Sequence, residues 1–100
     1  MSRITDEQVE AVRAVVAAVP PGSVTTYGDI ARVVGLPSPR IVAWIMRTDS
    51  SDLPWHRVIR ADGRPAPHLV TRQLAALAEE GVSSVDGRIA LASVRYRHES

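Results

Sequence analysis

Asp49, Asp52 and His56 are the closest this sequence comes to a hydrolytic metal site, because carboxylates and an imidazole are the ligand types such a site needs. Two loop carboxylates and one histidine close to a proline are weak evidence for it. Cysteine is absent, which excludes disulfides, thiolate metal sites and thiol nucleophiles together. Polyanion chemistry has better support. From Arg40 to Arg72 six arginines (40, 47, 57, 60, 64, 72) stand against Asp49, Asp52 and Asp62, while the segments before and after each carry one more acid than base. A net charge of +1 therefore hides a basic middle, as suits a face against a polyanion, although a solvated, partly ion-paired surface would give the same count. All 12 basic residues are arginine, which genomic composition bias alone can produce.

The elements that must position these residues can be read from caps and periodicity. Thr5 with Gln8 three residues later forms a capping box, and Val9, Val12, Val15, Val16 and Val19 recur at helical spacing before Pro20-Pro21-Gly22, predicting a helix over about 6–18. Thr26 with Asp29 marks a second start, followed by Ile30, Ala31, Val33 and Val34 and a stop at Gly35. Ser38-Pro39 starts a third helix that runs to Arg47. Two short helices joined by Gly35-Leu36-Pro37 spell helix-turn-helix, with Arg40 in the exposed first turn of the recognition helix. Residues 57–60 have strand character and Ala61-Asp62-Gly63 is a turn, so a small β-wing is expected there. Pro65 and Pro67 should forbid regular structure before a helix over about 69–80 that turns Leu69, Leu74, Leu77 and Ala78 inward and stops at Gly81. Residues 85–89 read as a terminal hairpin and residues 95–100 as a frayed tail.

One hundred residues, 45% of them hydrophobic, are enough for one domain with a small core, expected over about 5–91 with 92–100 as tail. The fold class is mostly α with a small β-wing, a winged helix-turn-helix. No apolar run approaches the roughly 18 residues of a membrane span, and the polar start resembles no signal peptide, so a cytoplasmic chain is expected.

Leu53-Pro54-Trp55-His56-Arg57-Val58 is the most specific stretch. It resembles the Pro-Cys-His-Arg-Val active-site motif of O6-alkylguanine-DNA alkyltransferases, with tryptophan at the cysteine position. Residues 19–31, Arg40 to Met46 and Ala78-Glu79-Glu80-Gly81 resemble further blocks of the same family, in order over roughly residues 5–82. Pro-Trp-His-Arg is similar to the pattern of the alkyltransferase-like branch. That resemblance implies a fold like the C-terminal domain of the alkyltransferases, binding of O6-alkylguanine in duplex DNA by minor-groove helix-turn-helix docking and base flipping without alkyl transfer, and delivery of the lesion to nucleotide excision repair. It implies no cofactor, no metal, no catalytic residue and no membrane partner, and a monomer is expected.

Residue by residue, the resemblance puts Trp55 in the lesion pocket as an unreactive wall, since an indole is a poor nucleophile, with Tyr27, Met46 and Val58 as further lining. His56 and Glu80 correspond to the pair that takes up the thiol proton in the enzymes. Without a thiol they are expected to be a structural pair. Tyr27 is implied beside the phosphate 3′ of the target nucleotide, and Arg40 as the finger that fills the hole left by the flipped base. Thr26, Ser38, Ala43, Arg47 and Arg64 are the remaining expected DNA contacts, with Arg57, Arg60 and Arg72 as phosphate candidates. The family's glycine positions in the recognition helix hold Ala43 and Trp44, and the spacing of Trp44 from Ile41 and Ile45 permits it to face the core. The segment 64–70 is shorter than the family's pocket loop, leaving Arg64, His68 and Arg72 as alternatives for reading the damaged base.

Two other readings compete. A sequence-specific winged helix-turn-helix regulator would read base edges in the major groove, yet Ile41, Val42, Ala43, Trp44, Ile45 and Met46 offer little for that. A protein-interaction module would show no salt-dependent affinity for DNA.

Overall fold

The computed structural model describes residues 4–98, and five helices and two small sheets follow from the local signals. Helix α1 spans Asp6–Ala17 and opens with the capping box formed in both directions between Thr5 and Gln8. Strand β1 (Thr25–Thr26) runs straight into α2 (Tyr27–Val34), whose first turn is closed by the Thr26 hydroxyl accepting the Asp29 N–H at 3.0 Å. Gly35 ends α2 at φ +82°, and the N–H groups of Gly35 and Leu36 both donate to the Ala31 carbonyl, which buries Leu36 in the turn. Helix α3 (Pro39–Thr48) then starts with proline in its first turn and the Ser38 hydroxyl accepting the Arg40 N–H at 3.1 Å. The helix-turn-helix is therefore built as the caps predict.

A 3-10 turn at Trp55–Arg57 leads into strand β2 (Val58–Ile59), which pairs in parallel with β1, Thr25 opposite Val58 and Thr26 opposite Ile59. Alternation along β2 divides the interior. Val58 packs with Val12, Val16, Ile30, Val42 and Ile45 under the helix-turn-helix, while Ile59 packs with Val24, Leu77, Val82 and Ile89 on the other side. The wing expected from residues 57–63 takes a different form. The chain after β2 makes the Ala61-Asp62-Gly63 turn, and Gly63 accepts the Ile89 N–H at 2.8 Å from the separate hairpin β3 (Ser84–Val85) and β4 (Arg88–Ile89). Gly63 has φ +80° and any Cβ there would lie 2.5 Å from the Ile89 carbonyl, so this junction requires glycine.

A second 3-10 turn, Pro67–Leu69, precedes α4 (Val70–Glu79), so the prolines tolerate more structure than expected. Leu77 is fully buried and Leu74 partly, but Ala78 is exposed and Gln73 takes the inward position, donating to the carbonyls of His56 and Val58. Of the two faces open to Trp44 by spacing, packing leaves it the outer one: Val42, Ile45 and Met46 fill the inner face of α3, and Trp44 stands 47% exposed.

The tail is the larger correction. Residues 95–98 do not fray: a short helix α5 (Leu91–Val94) is followed by a parallel bridge between Val24 and Arg95, with the Tyr96 N–H donating to the Val24 carbonyl at 2.7 Å. Arg95 grips Asp29 through two hydrogen bonds of 2.8 Å, and Thr25 is 2.7 Å from His98. Asp29 is only 3% exposed, so its charge needs these partners, which hold its carboxyl below the usual range, Arg95 contributing most. Residues 99 and 100 lie outside the described residues. Arg95→Ala is expected to cost about 2 kcal/mol, with Arg32 left as the remaining cation on Asp29, and to lower Tm by about 10 °C. Arg97→Ala, on the exposed neighbour, serves as the control; equal melting of the two would mean that the tail is not anchored.

Candidate nucleic-acid interface

Between α2, α3 and the start of α4 lies an open cavity of about 520 Å³, within the roughly 300–1,000 Å³ range of small-ligand sites. Helix α3 supplies one wall. Arg40, Ala43, Met46 and Arg47 all line it, spaced i, i+3, i+6 and i+7 so that they share a face. Tyr27 from the first turn of α2, Trp55, and Leu69 at the end of the second 3-10 turn extend the apolar part, and Arg72 from the first turn of α4 lies beside them. Trp55 is half-buried, its ring forming part of the wall, with the Arg72 guanidinium 5.3 Å from its centroid in cation–π contact. Ser50, Ser51, Arg60 and His68 add polar groups, and among the described residues no carboxylate lines the cavity.

The positive mouth depends on where the acids go. Arg13 on α1 holds both Asp49 (3.2 Å) and Asp52 (2.6 Å) and also donates to the Asp49 backbone, tying down the loop that carries Ser50 and Ser51. Hydrogen bonding to Arg13 lowers the Asp52 carboxyl below its ordinary range. Asp62 pairs with Arg60 at 3.3 Å. The metal grouping read from Asp49, Asp52 and His56 thus does not converge, since His56 turns to Glu80. Burial raises the Tyr27 phenol above its ordinary value, so at neutral pH it is a hydroxyl able to donate.

His56, next to the cavity-lining Trp55, has its Nε2 2.8 Å from Glu80. Arg57 shares that carboxylate through bonds of 3.0 and 2.7 Å and donates to the Val19 carbonyl as well. Arg57 is therefore occupied inside the fold and is not a phosphate contact. Four further expected site residues lie off the cavity. Val58 is 1% exposed, in the core, because the alternation of β2 turns it inward. Thr26 is buried with its hydroxyl engaged as a cap. Arg64 reaches back to the Asp86 carbonyl of the hairpin, leaving His68 and Arg72 as the polar side chains of the 64–72 segment at the cavity. Ser38 caps α3 immediately before the cavity-lining Pro39.

The sequence reading missed Gln73 and Arg13. Gln73 had a signal, a polar residue four positions from both Leu69 and Leu77 on the inward stripe of α4. Arg13 had none, because its partners are 36 and 39 residues away.

Residues 7–82 match the family described as "6-O-methylguanine DNA methyltransferase, DNA binding domain". This chain belongs to that family. Within the wider set of alkyltransferase relatives, the DNA base-flipping protein of Escherichia coli (strain K12) is 39% identical over 90 residues, covering 84% of this chain and 70% of that protein. Alkyltransferase-like protein 1 of Schizosaccharomyces pombe is 40% identical over 84 residues, covering 77% and 78%. The solved structure of S. pombe Atl1 in complex with damaged DNA containing O6-carboxymethylguanine matches with TM-score 0.85 at 32% identity, over 97% of this chain and 100% of that one. Mycobacterium tuberculosis OGT in complex with DNA matches with TM-score 0.65 at 30% identity, over 78% of this chain but only 51% of the OGT chain. The fold of this chain is accordingly that of the family's DNA-binding domain.

Proposed function

We propose that this protein binds duplex DNA carrying an O6-alkylated guanine, turns the damaged base out of the stack into the cavity beside Trp55, and leaves the alkyl group in place. One observation carries this reading: a base-sized cavity opens between the Arg40-bearing helix and Trp55, and an indole stands in its wall in a chain that contains no cysteine. Alkyl transfer needs a nucleophile that can be deprotonated near neutral pH, and an indole is not one. A hydrophobic wall with a stacked guanidinium instead favours holding a flat, electron-rich base.

On this reading Arg40 enters the duplex and occupies the space of the departed base, Tyr27 donates toward the neighbouring phosphate, and Arg47 and Arg60 contact the backbone. Met46, Trp55 and Leu69 enclose the base, while Arg72 and His68 present donors to its polar edge. His56 and Glu80 have no thiol to serve and, with Arg57, order the floor. The protein acts as a cytoplasmic monomer that flags the lesion for nucleotide excision repair.

The test uses two duplexes identical except for a single O6-methylguanine. Tighter binding to the lesion with an unchanged protein mass after incubation is the expected result. Equal affinity for the two duplexes, or a mass gain of one methyl group, sinks the proposal.

A further inference from the structure

Trp44 is the largest exposed apolar side chain on α3, and its position is not arbitrary. Arg40 precedes it by four residues and Arg47 follows by three, so the indole is flanked by guanidinium groups about one helical turn away on either side. Ala43 next to it lines the cavity, which puts Trp44 on the outer shoulder of the same helix. Helix α3 contains no acidic residue, and Asp49 just after it is held by Arg13. A large apolar ring set among guanidinium groups that have no carboxylate partner among the described residues, with the nearby Asp49 and Asp52 held by Arg13, is complementary to a surface that alternates phosphates with apolar sugar. A protein partner would be expected to answer Arg40 and Arg47 with acids, and the cavity rim already commits both to the nucleic acid.

We propose that Trp44 lays its indole flat along the deoxyribose wall of the minor groove, beside the site of base extrusion, as a lesion-independent anchor that holds α3 on the duplex. The groove is only about 6 Å wide, so a helix carrying tryptophan cannot descend as deeply as one carrying a small residue there. Lying against one strand, the ring compensates for that shallower seat with apolar contact and widens the groove at the point where Arg40 must enter. Other minor-groove proteins also deform the duplex with apolar side chains, in their case by wedging them between base steps. The contact reads no base, so it serves damaged and undamaged duplex alike, and selectivity stays with the cavity. The inference rests on the DNA-binding reading above.

The experiment compares wild type, Trp44→Ala and Trp44→Phe on the O6-methylguanine duplex and its undamaged twin across a salt series. The expected result is about a tenfold loss of affinity for both duplexes with alanine, most of it restored by phenylalanine, as one lost aromatic contact to nucleic acid would give. The ratio of the two affinities and the slope of log K against log[salt] should not change, because an indole neutralises no phosphate. Undiminished binding of undamaged DNA by Trp44→Ala overturns the proposal, and so does a loss confined to the lesion duplex. Failure of the parent reading is seen separately, in a wild-type protein that does not prefer the lesion.

Discussion

Arg40→Ala is expected to abolish the preference for damaged DNA while leaving the fold intact. Extruding a base costs a few kcal/mol, and the residue that fills the vacated space offsets much of it, so affinity for the lesion duplex should fall about a hundredfold. Binding to undamaged duplex should weaken far less, since only one phosphate-facing charge is removed. The side chain is exposed at the start of α3, and the cap there runs from Ser38 to the Arg40 backbone N–H, which alanine retains. Alanine is also a better helix former, so thermal unfolding should not shift downward. Fluorescence anisotropy with both duplexes, together with a melting curve, checks this. A variant that still discriminates would remove Arg40 from the finger role.

Glu80→Ala is expected to have the largest effect on stability, about 3 kcal/mol or more, because it strands the guanidinium of Arg57, whose side chain is 14% exposed. Urea unfolding measures it. The pH dependence identifies the cause. The Glu80 carboxyl is held down to about 2, chiefly by its hydrogen bonds from Arg57, with His56 adding to them against the cost of burial. Since the folded state lowers this acid, the ionised carboxylate stabilises the protein fully above its unfolded value near 4.5, and that contribution is lost as pH falls toward 2. After allowance for solvent screening it amounts to about 2 kcal/mol. Wild type should therefore lose that much between about pH 5 and pH 2, and Glu80→Gln should not lose it. Parallel curves for the two proteins would show that the carboxylate is not the anchor of the floor. Asp29, lowered by Arg95, adds acid lability of the same sign in both proteins.

The local elements were legible because their causes are local. The capping box at Thr5, the Thr26 and Ser38 caps, proline in the first turn of α3 and the left-handed Gly35 each act within one turn of chain, so residue identity was sufficient to place α1, α2 and α3. The matched motif likewise named Trp55, His56, Glu80 and Arg40 by position alone, and the structure brings Trp55 and Arg40 to one cavity and His56 to Glu80. Contacts between distant segments were not legible. Strand β2 reads as half of a wing, yet it pairs with Thr25–Thr26 from before the helix-turn-helix, and that pairing decides that Val58 is core and not pocket. Residues 95–98 look like loose polar chain, and only Asp29, 66 residues before Arg95, together with Val24 and Thr25, makes them part of the fold. Trp44 has a spacing compatible with either face of its helix, and packing against α2 and α1 filled the inner one with Val42, Ile45 and Met46. Sequence by itself determined which residues begin and end the helices and that no thiol is available, because those are properties of a few adjacent groups. Tertiary structure alone decided which charges are spent inside the molecule and which remain free at the cavity, because an ion pair depends on distance in space and leaves no spacing to read.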